Sequence, residues 1–334
     1  MPKLPARTVA TGVPPPAEAG RAHADRDAPG ASPGDGGPDG ALHGKPAAAP
    51  DRRTHIRPRH GWQAIDLREL WRARDLLWIF TLRDVTVRYK QTFFGLAWAL
   101  VVPMVQILVF SVFFGAVLGV SDRVNQAAGR ILPYPLFALS GQIVWNFFKA
   151  TLDGASNSLV ANAAIIRKIY IPRLILPLAS VGRPSVDAAV VFLLLTGLTA
   201  WYAADPAADI SFSPGFLLAP VLLAASAIPA LAVGLIVAAI TVSYRDLQQV
   251  MPFFTSMLFF VTPVIYSVDI LPPRLAWLIY LNPAAGFVQA HRAAAMNLPM
   301  DVWGLAVSLS ISIVLLVFGL FYFTRAERRF ADVA

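Results

Sequence analysis

Four ionisable side chains stand within the apolar part of the sequence, at spacings that decide what chemistry they could perform. Lys149 and Asp153 are four residues apart, and so are Arg183 and Asp187. Residues four apart face each other on a helix, so each pair can neutralise itself. Proton relays depend instead on acids that are buried in a membrane without such a partner. The spacing therefore disfavours ion-coupled chemistry, although Lys149 could also extend its ammonium group to the membrane interface.

The sequence contains no motif for catalysis or metal binding. It has no paired His/Glu metal motif, no G-x-S-x-G turn and no G-x-x-x-x-G-K-[ST] phosphate loop. Cysteine is absent, which excludes a thiol nucleophile and a disulfide framework. We therefore expect no catalytic residue, no metal and no cofactor on this chain. Any energy that it uses must come from a partner or from an ion gradient.

The composition is that of a membrane protein. Of the 334 residues, 56% are hydrophobic and only 14% are charged, which exceeds what a soluble domain needs to fill its core. Apolar runs of about 20 residues, long enough to cross the hydrocarbon core, recur after Phe93. The net charge of +8 comes from a basic tail and short loops, so membrane topology explains it better than nucleic-acid binding. We predict an all-α polytopic membrane protein.

The first third of the chain divides into a tail and an amphipathic segment. Residues 1–60 are rich in Pro, Gly and Ala and have no apolar core for a signal peptide, so we expect a disordered cytoplasmic tail. In residues 61–92 apolar side chains, including Trp71 and Trp78, recur at three- and four-residue steps opposite several arginines. This pattern predicts a helix lying in the membrane interface, with an ordinary solvated helix as the alternative.

The remaining residues, 93–334, are predicted to form a six-helix transmembrane domain. The expected spans are residues 94–120, 133–151, 174–203, 214–242, 247–267 and 302–322. The loop with Arg167, Lys168 and Arg173 falls on the same side as the basic tail. By the positive-inside rule, we expect a multi-pass protein of the cytoplasmic membrane with both termini in the cytoplasm.

Two segments do not fit a simple bundle of spans. The loop "NSLVANAAIIRKIYIPRL" predicts a short helix that exposes Arg167 and Lys168 and is broken at Pro172. Between the fifth and sixth spans, two apolar pieces too short to cross a membrane flank Asn282 and Pro283. We interpret them as a re-entrant helical hairpin, because broken helices at membrane depth need protein or water around them. An outer loop with an amphipathic helix is the alternative.

Five motifs occur in an order that is typical of one family. They are "RDVTVRYKQTFFGLAWALVVP" (83–103), "IIRKIYIPRLILP" (165–177), "YRDL" (244–247), "TPVIY" (262–266) and "LNPAAGFVQAHR" (281–292). The chain thereby resembles, across residues 62–330, the membrane subunits of ABC exporters of lipid-linked polysaccharides, of the O-antigen, capsule or teichoic-acid type in the ABC-2 superfamily. The tail and Arg183 are not part of that pattern.

The resemblance implies partners and contacts. The chain would form a homodimer with two cytoplasmic ATPase subunits, which would hold the ATP and Mg, and would export a polysaccharide linked to undecaprenyl pyrophosphate. A coupling helix at about 157–170, with Asn157, Arg167 and Lys168, would dock on the ATPase. A second contact would involve Tyr244, Arg245 and Asp246. The alternative role of Arg167 and Lys168 is a positive-inside anchor.

The resemblance also suggests where a cargo passes. Arg83, Arg88, Tyr89 and Lys90 would form the substrate entrance, where the cations steer the pyrophosphate or, alternatively, bind bulk anionic lipid. Sugars stack on aromatic rings, and the candidates for lining a channel are Trp98, Trp145, Phe254 and Phe259. Asn282 and Pro283 would form an outer gate.

Two other functions stay open from the sequence. The first is an ABC exporter of small amphipathic compounds or drugs, which would share the fold but has less need for a long interfacial helix. The second is a membrane-embedded enzyme that modifies glycan or lipid. Such an enzyme needs a general acid or base, and only His291 and Asp269 are available near the outer face.

Overall fold

The computed structural model describes residues 67–90, 97–206, 208–244 and 246–333, and within these ranges the chain is helical and has no strand. The predicted tail, Arg245 and both ends of segment 61–92 lie outside the described residues. The α-helices are α1 Leu67–Arg72, α2 Arg74–Lys90, α3 Trp98–Phe110, α4 Val120–Ala128, α5 Tyr134–Ala161, α6 Ala163–Ile166, α7 Ile175–Ala179, α8 Gly182–Ala203, α9 Ala219–Ala225, α10 Ala227–Thr241, α11 Leu247–Val261, α12 Pro273–Ile279, α13 Ala285–Met296 and α14 Val302–Val333.

Four stretches of the described chain are long and apolar enough to cross a membrane. They are Trp98–Val117, Ile175–Ala203, Pro214–Thr241 and Val302–Ala326, and they confirm the first, third, fourth and sixth predicted spans as apolar helices of spanning length. The fifth predicted span is shorter than expected. Its helix, α11, ends at Val261 after 15 residues, and turns follow where residues 262–267 were expected to continue the span.

The second predicted span, 133–151, belongs to a longer and more polar helix. α5 continues from Tyr134 to Ala161 and is not among the apolar stretches, because it carries Lys149, Asp153 and several uncharged polar residues. Most of its side chains are buried, and it packs against α3, α8, α10 and α13. Surrounding helices therefore take the place that lipid has around the other spans. Among the described residues, four of the six expected spans are thus present as apolar helices of spanning length.

α2 packs on the bundle with one face and exposes a second apolar face. Phe80 is buried, and it packs in one cluster with residues of α7, α10 and α14, including Ile175. The spacing of apolar residues in segment 61–92 predicts a single apolar face, but the structure separates Leu77 from Trp78. Leu77 packs towards the protein, whereas Trp71 and Trp78 are 70% and 62% exposed. Exposed tryptophans suit a membrane interface, and the interfacial position stays a prediction.

The segment before α14 is a pair of helices whose second member lies in the protein interior. α12 and α13 are joined by a turn in which Asn282 Nδ2 donates to Thr262 Oγ1 at 2.8 Å. α13 packs against α5, α9 and α14, and nearly all of its side chains are buried. A surface helix on an outer loop does not fit this burial. The helical pair is present, and its depth in the membrane stays a prediction.

The loops of the bundle collect at two ends. Near the end of α5, Leu159 packs in one cluster with Ala238 of α10 and Phe323 of α14, so the loops predicted to be cytoplasmic share one end. Near the start of α5, Arg130 Nε donates to an Asp209 carboxylate oxygen at 2.8 Å, and its Nη1 donates to the Asn297 carbonyl at 2.9 Å. Three loops of the opposite end are thereby held together.

A glycine sets the distance between α5 and α10. A Cβ added to Gly234 would stand 2.6 Å from the Cβ of Ala155. We expect Gly234→Val to force the helices apart and to lower the free energy of unfolding by about 1–3 kcal/mol, the usual cost of overpacking. Thermal unfolding of the purified protein in detergent measures this loss. Gly197→Val is the matched control, because a Cβ there meets nothing within 4 Å. An equal loss in both variants would contradict the packing argument.

Candidate functional site

A cavity of about 1070 Å³ lies between α2, α3, α5 and α8. Its charged lining residues are Arg83, Asp84, Arg88, Lys149, Asp153, Arg183 and Asp187. The part of the wall that α3 forms is apolar apart from Gln106 and includes Trp98, Val102 and Pro103. The cavity therefore offers both a charged and an apolar surface near the C-terminal end of α5.

Asp187 of α8 is bound by two consecutive residues of α2. An oxygen of its carboxylate lies 3.1 Å from Nη2 of Arg88, and the other accepts a hydrogen bond from the Tyr89 hydroxyl. Burial raises the pKa of Tyr89 to about 12, and the hydrogen bond to Asp187 acts in the same direction. The phenol is therefore protonated at neutral pH and can donate. These two contacts tie α2 to α8.

The expected pair between Arg183 and Asp187 is not formed, because Asp187 bonds to Arg88 and Tyr89 of α2 instead. The reason is that α2 packs across α8 and brings Arg88 and Tyr89 to the same carboxylate. Arg183 is exposed on the cavity and has no ion pair among the described residues. The other expected pair is confirmed, with Lys149 Nζ 3.6 Å from the Asp153 carboxylate.

Arg83 is held by three different groups. It donates to Asp84 Oδ1 from Nε at 3.0 Å and from Nη2 at 2.8 Å, and Nη2 also donates to Asn162 Oδ1 at 2.8 Å. Its guanidinium carbon lies 4.9 Å from the centre of the Phe80 ring. Of the predicted entrance residues, Arg83 and Arg88 line the cavity, whereas Lys90 is exposed outside its lining.

The four aromatic candidates for a channel lie in different places. Trp98 lines the cavity and is 46% exposed. Trp145 is buried, with its ring centre 5.7 Å from that of Phe259, which also stacks on Phe110. Phe254 is 57% exposed on α11. Only Trp98 among them lines the cavity.

The residues predicted to couple to an ATPase occupy one end of the bundle. Asn157 lies within α5 itself, lines the cavity and donates from Nδ2 to the Asp153 carbonyl at 3.0 Å. The predicted helix at 157–170 is therefore divided into the end of α5, the short α6 and a turn. Arg167 and Lys168 are exposed in that turn, and Tyr244 and Asp246 are exposed in the loop after α10.

Asn282 and Pro283, the predicted outer gate, lie between α11, α13 and α14 and do not line the cavity. The carbonyl of Asn282 accepts from Ser308 Oγ at 3.2 Å, and the carbonyl of Pro283 accepts from Ser312 Oγ at 3.4 Å. Both carbonyls of the turn are thus held by α14.

A cluster of three side-chain amides at the cavity was not predicted from the sequence. Gln106 Oε1 of α3 accepts hydrogen bonds from Nε2 of Gln142 and from Nδ2 of Asn146, the latter at 3.4 Å, and Gln106 and Asn146 line the cavity. A signal was present, because Gln106 is an uncharged polar residue within an apolar stretch and its two partners are four residues apart. Polar side chains in such stretches commonly bond across helices.

The cavity combines polar donors with an apolar wall. In the part of the chain that the structure describes, no group of three or more His, Asp or Glu residues could hold a metal ion. The cavity instead presents guanidinium, ammonium and amide donors beside an aromatic and aliphatic wall. This set of groups can bind an anionic, amphipathic molecule.

Residues 75–296, which include most of α2, the cavity and α13, match the ABC-2 type transporter family. The chain belongs to this family. It is 27% identical over 265 residues to the O-antigen export system permease protein RfbA of Klebsiella pneumoniae, and the match covers 78% of this chain and 95% of that protein. The protein of the same name from Myxococcus xanthus is 26% identical over 270 residues, covering 80% and 98%. The polysialic acid transport protein KpsM of Escherichia coli is 22% identical over 215 residues, covering 64% and 79%.

Membership of the ABC-2 type family confirms the resemblance that the sequence motifs indicated. Together with the four apolar stretches of spanning length, it shows a multi-pass membrane protein that works as the membrane subunit of a transporter. The motifs at 83–103, 165–177, 244–247, 262–266 and 281–292 all fall inside the matched region.

The tie between α2 and α8 has a measurable consequence in this ABC-2 type protein. Asp187→Asn removes the charge that attracts Arg88 and weakens the bond from Tyr89. We expect the free energy of unfolding to fall by about 1–2 kcal/mol and α2 to be cut faster by protease, because the contacts of a partly buried carboxylate are lost. Thermal unfolding and limited proteolysis in detergent measure the two effects. Asp122→Asn, on exposed α4, is the control. Unchanged cleavage of α2 in Asp187→Asn would contradict the tie.

Proposed function

We propose that this chain is the permease subunit of an ABC exporter that moves a lipid-linked polysaccharide outward across the cytoplasmic membrane. The carrier lipid would be undecaprenyl pyrophosphate, and a separate ATPase subunit would supply the energy. The observation that supports this proposal is the cavity between α2, α3, α5 and α8, which has both charged and apolar lining residues.

A lipid-linked glycan has three parts that need different surroundings. Its pyrophosphate needs cations, which the cavity provides on α5 and α8. Its acyl chain needs lipid or apolar protein, and α3 exposes apolar side chains beside the cavity, including Val101, Val105 and Leu108. Its sugars present apolar C–H faces, and the half-exposed ring of Trp98 lies on the wall where a sugar could stack. The arrangement suits one molecule that spans all three surroundings.

The names of the relatives support the same class of cargo. Two are described as O-antigen export permeases and one as a polysialic acid transport protein, and each match extends over most of the relative. The relatives are thus concerned with polysaccharides rather than with small drugs. We propose the same class of cargo, a polysaccharide, for this chain.

Coupling to the ATPase would use the exposed turn after α6. Arg167 and Lys168 are exposed there, next to Ile169 and Tyr170 at 60% and 86% exposure. A segment that exposes both cations and large apolar side chains is suited to a protein contact rather than to solvent alone. Two ATPase subunits, with their ATP and Mg, would dock on a homodimer of this chain, and Tyr244, Arg245 and Asp246 would add a smaller contact.

Two hydrogen bonds connect the proposed docking segment to α1 and α2. Asn162, where α5 ends, accepts from Arg83 Nη2 at 2.8 Å, and the Tyr170 hydroxyl bonds to Glu69 Oε1 at 3.1 Å. Since Arg83 also lines the cavity, a force on the docking segment would reach the cavity wall through α2. In the proposed cycle, ATP-driven closure of the partner subunits would use this route, and the turn at Asn282 and Pro283 would act as the outer gate.

Export in the native host tests the function. Deleting the gene for this chain should abolish the surface polysaccharide, and the intact chain should restore it only when its ATPase subunit is present, because the chain has no phosphate loop of its own. Surface polysaccharide is measured by immunoblot or by sugar analysis of the cell surface. Export that persists without the ATPase would reject the proposal. Transport of dyes with no change in surface glycan would favour an exporter of small amphipathic compounds.

Co-purification tests the docking segment. We expect Arg167→Glu combined with Lys168→Glu to remove most of the ATPase subunit from the tagged chain, since both cations would be replaced by carboxylates at the contact. The amount of ATPase per permease after mild detergent extraction is the measurement. Arg72→Glu combined with Arg325→Glu is the matched control, because it changes the net charge equally at other exposed sites. Equal loss in both variants would show a general charge effect and no specific contact.

A further inference from the structure

The arginines predicted to meet the cargo are already engaged within the protein. Arg83 donates to Asp84 and Asn162, and Arg88 lies 3.1 Å from an oxygen of Asp187. A phosphate that used either guanidinium would compete with a carboxylate at hydrogen-bond distance. It would also loosen α2 from α8 or from the end of α5. These arginines are therefore better suited to holding α2 than to binding a ligand.

Arg183 differs from them because it is not engaged within the protein. It lines the same cavity and is exposed to it, and no ion pair or hydrogen bond engages it among the described residues. A guanidinium has five N–H donors in a planar fork that matches two oxygens of a phosphate. All of its donors are available to a ligand in the cavity.

Lys149 and Asp153 stand on the neighbouring wall of the cavity. Arg183 of α8 and Asp153 of α5 line the same cavity. The bond between Lys149 and Asp153 is loose, at 3.6 Å, and both side chains are about two-fifths exposed, at 41% and 39%. A pair of this kind contributes little to stability, so an anion can take over Lys149 at small cost.

We propose that Arg183, assisted by Lys149, forms an anion site that binds the phosphate or pyrophosphate group of the cargo. Asp153 holds Lys149 in place while the site is empty and competes with the anion for it. The class of cargo rests on the proposed function, whereas the anion site rests on the geometry of the cavity alone. The volume of about 1070 Å³ is at the upper limit of ordinary small-molecule sites, which leaves room for a first sugar beside the phosphates.

Binding to the purified full-length chain tests the site. The protein is placed in nanodiscs of phosphatidylcholine, and farnesyl pyrophosphate, a short isoprenoid pyrophosphate, is titrated by calorimetry. We expect Arg183→Gln to weaken binding at least tenfold and Arg183→Lys to weaken it less, because lysine keeps the charge without the planar fork. Lys149→Gln should weaken binding a few-fold.

Asp153→Asn separates the proposed role from a failure to fold. Removing the competing carboxylate should strengthen binding a few-fold, and a damaged protein cannot give that result. Arg123→Gln, on exposed α4 away from the cavity, is the control and should bind as the unaltered chain does. The site is overturned if the unaltered chain does not bind, if Arg183→Gln binds equally well, or if Arg88→Gln removes binding while Arg183→Gln retains it.

Two further binding measurements identify the source of the anion. Displacement of farnesyl pyrophosphate by phosphatidylglycerol in the nanodisc would overturn the proposal in favour of a contact with bulk anionic lipid. Inorganic pyrophosphate that binds, but more weakly than farnesyl pyrophosphate, would support an anion site assisted by the apolar wall.

Export assays keep this proposal distinct from the proposed function. Binding that depends on Arg183 in a chain that exports no polysaccharide would reject the function and retain the site. ATPase-dependent export that is unchanged in Arg183→Gln would retain the function and reject the site.

Discussion

The rest of the structure depends on α5 being enclosed by protein. A helix with this many polar side chains is costly in lipid, because each polar group there needs a hydrogen-bond partner. In the bundle the hydroxyls of Ser140, Ser156 and Ser158 donate to carbonyls one turn earlier in α5, and Gln142 donates to Gln106 of α3. Most of these polar groups have a partner, whereas the buried Gln142 Oε1 and Thr151 Oγ1 have none among the described residues. The side of α5 that faces α2 and α8 carries Lys149 and Asp153 into the cavity. Enclosure thus permits the site to exist.

A buried arginine solves a related problem elsewhere in the bundle. After α11 the chain turns at residues 262–267, which leaves backbone carbonyls without helical partners. Arg292 of α13 is 2% exposed and donates from Nη2 to the Val264 carbonyl at 2.5 Å and from Nη1 to the Tyr266 carbonyl at 3.4 Å. Its guanidinium carbon also lies 3.8 Å from the ring centre of Phe137 on α5. One side chain therefore joins the broken segment to α5 and explains why α13 has to lie inside the protein.

Periodicity and local spacing correctly predicted the features that depend on residues close together in the sequence. Four spans follow from apolar length, and the pair between Lys149 and Asp153 follows from a spacing of one helical turn. The partner of Asp187 could not be predicted in this way, because α2 lies about a hundred residues earlier in the chain and competes successfully for the same carboxylate. The roles of Trp98 and Trp145 were equally hidden. Both are tryptophans within predicted spans, and only the packing of α3 and α5 places one on the cavity and the other in the core.

The charged residues around the cavity fall into two groups: those that hold α2 in place and those that can change partners. Arg88 joins α2 to Asp187 of α8, and Arg83 joins α2 to the end of α5 at Asn162, so these two arginines fix the position of α2. If Arg83 or Arg88 released its partners at each turnover, α2 as a whole would have to move. Lys149 and Asp153 of α5 and Arg183 of α8 do not hold α2, because a loose pair and an unengaged guanidinium can change partners while both helices stay in place. Cargo recognition and helix positioning can therefore operate in one cavity through different side chains.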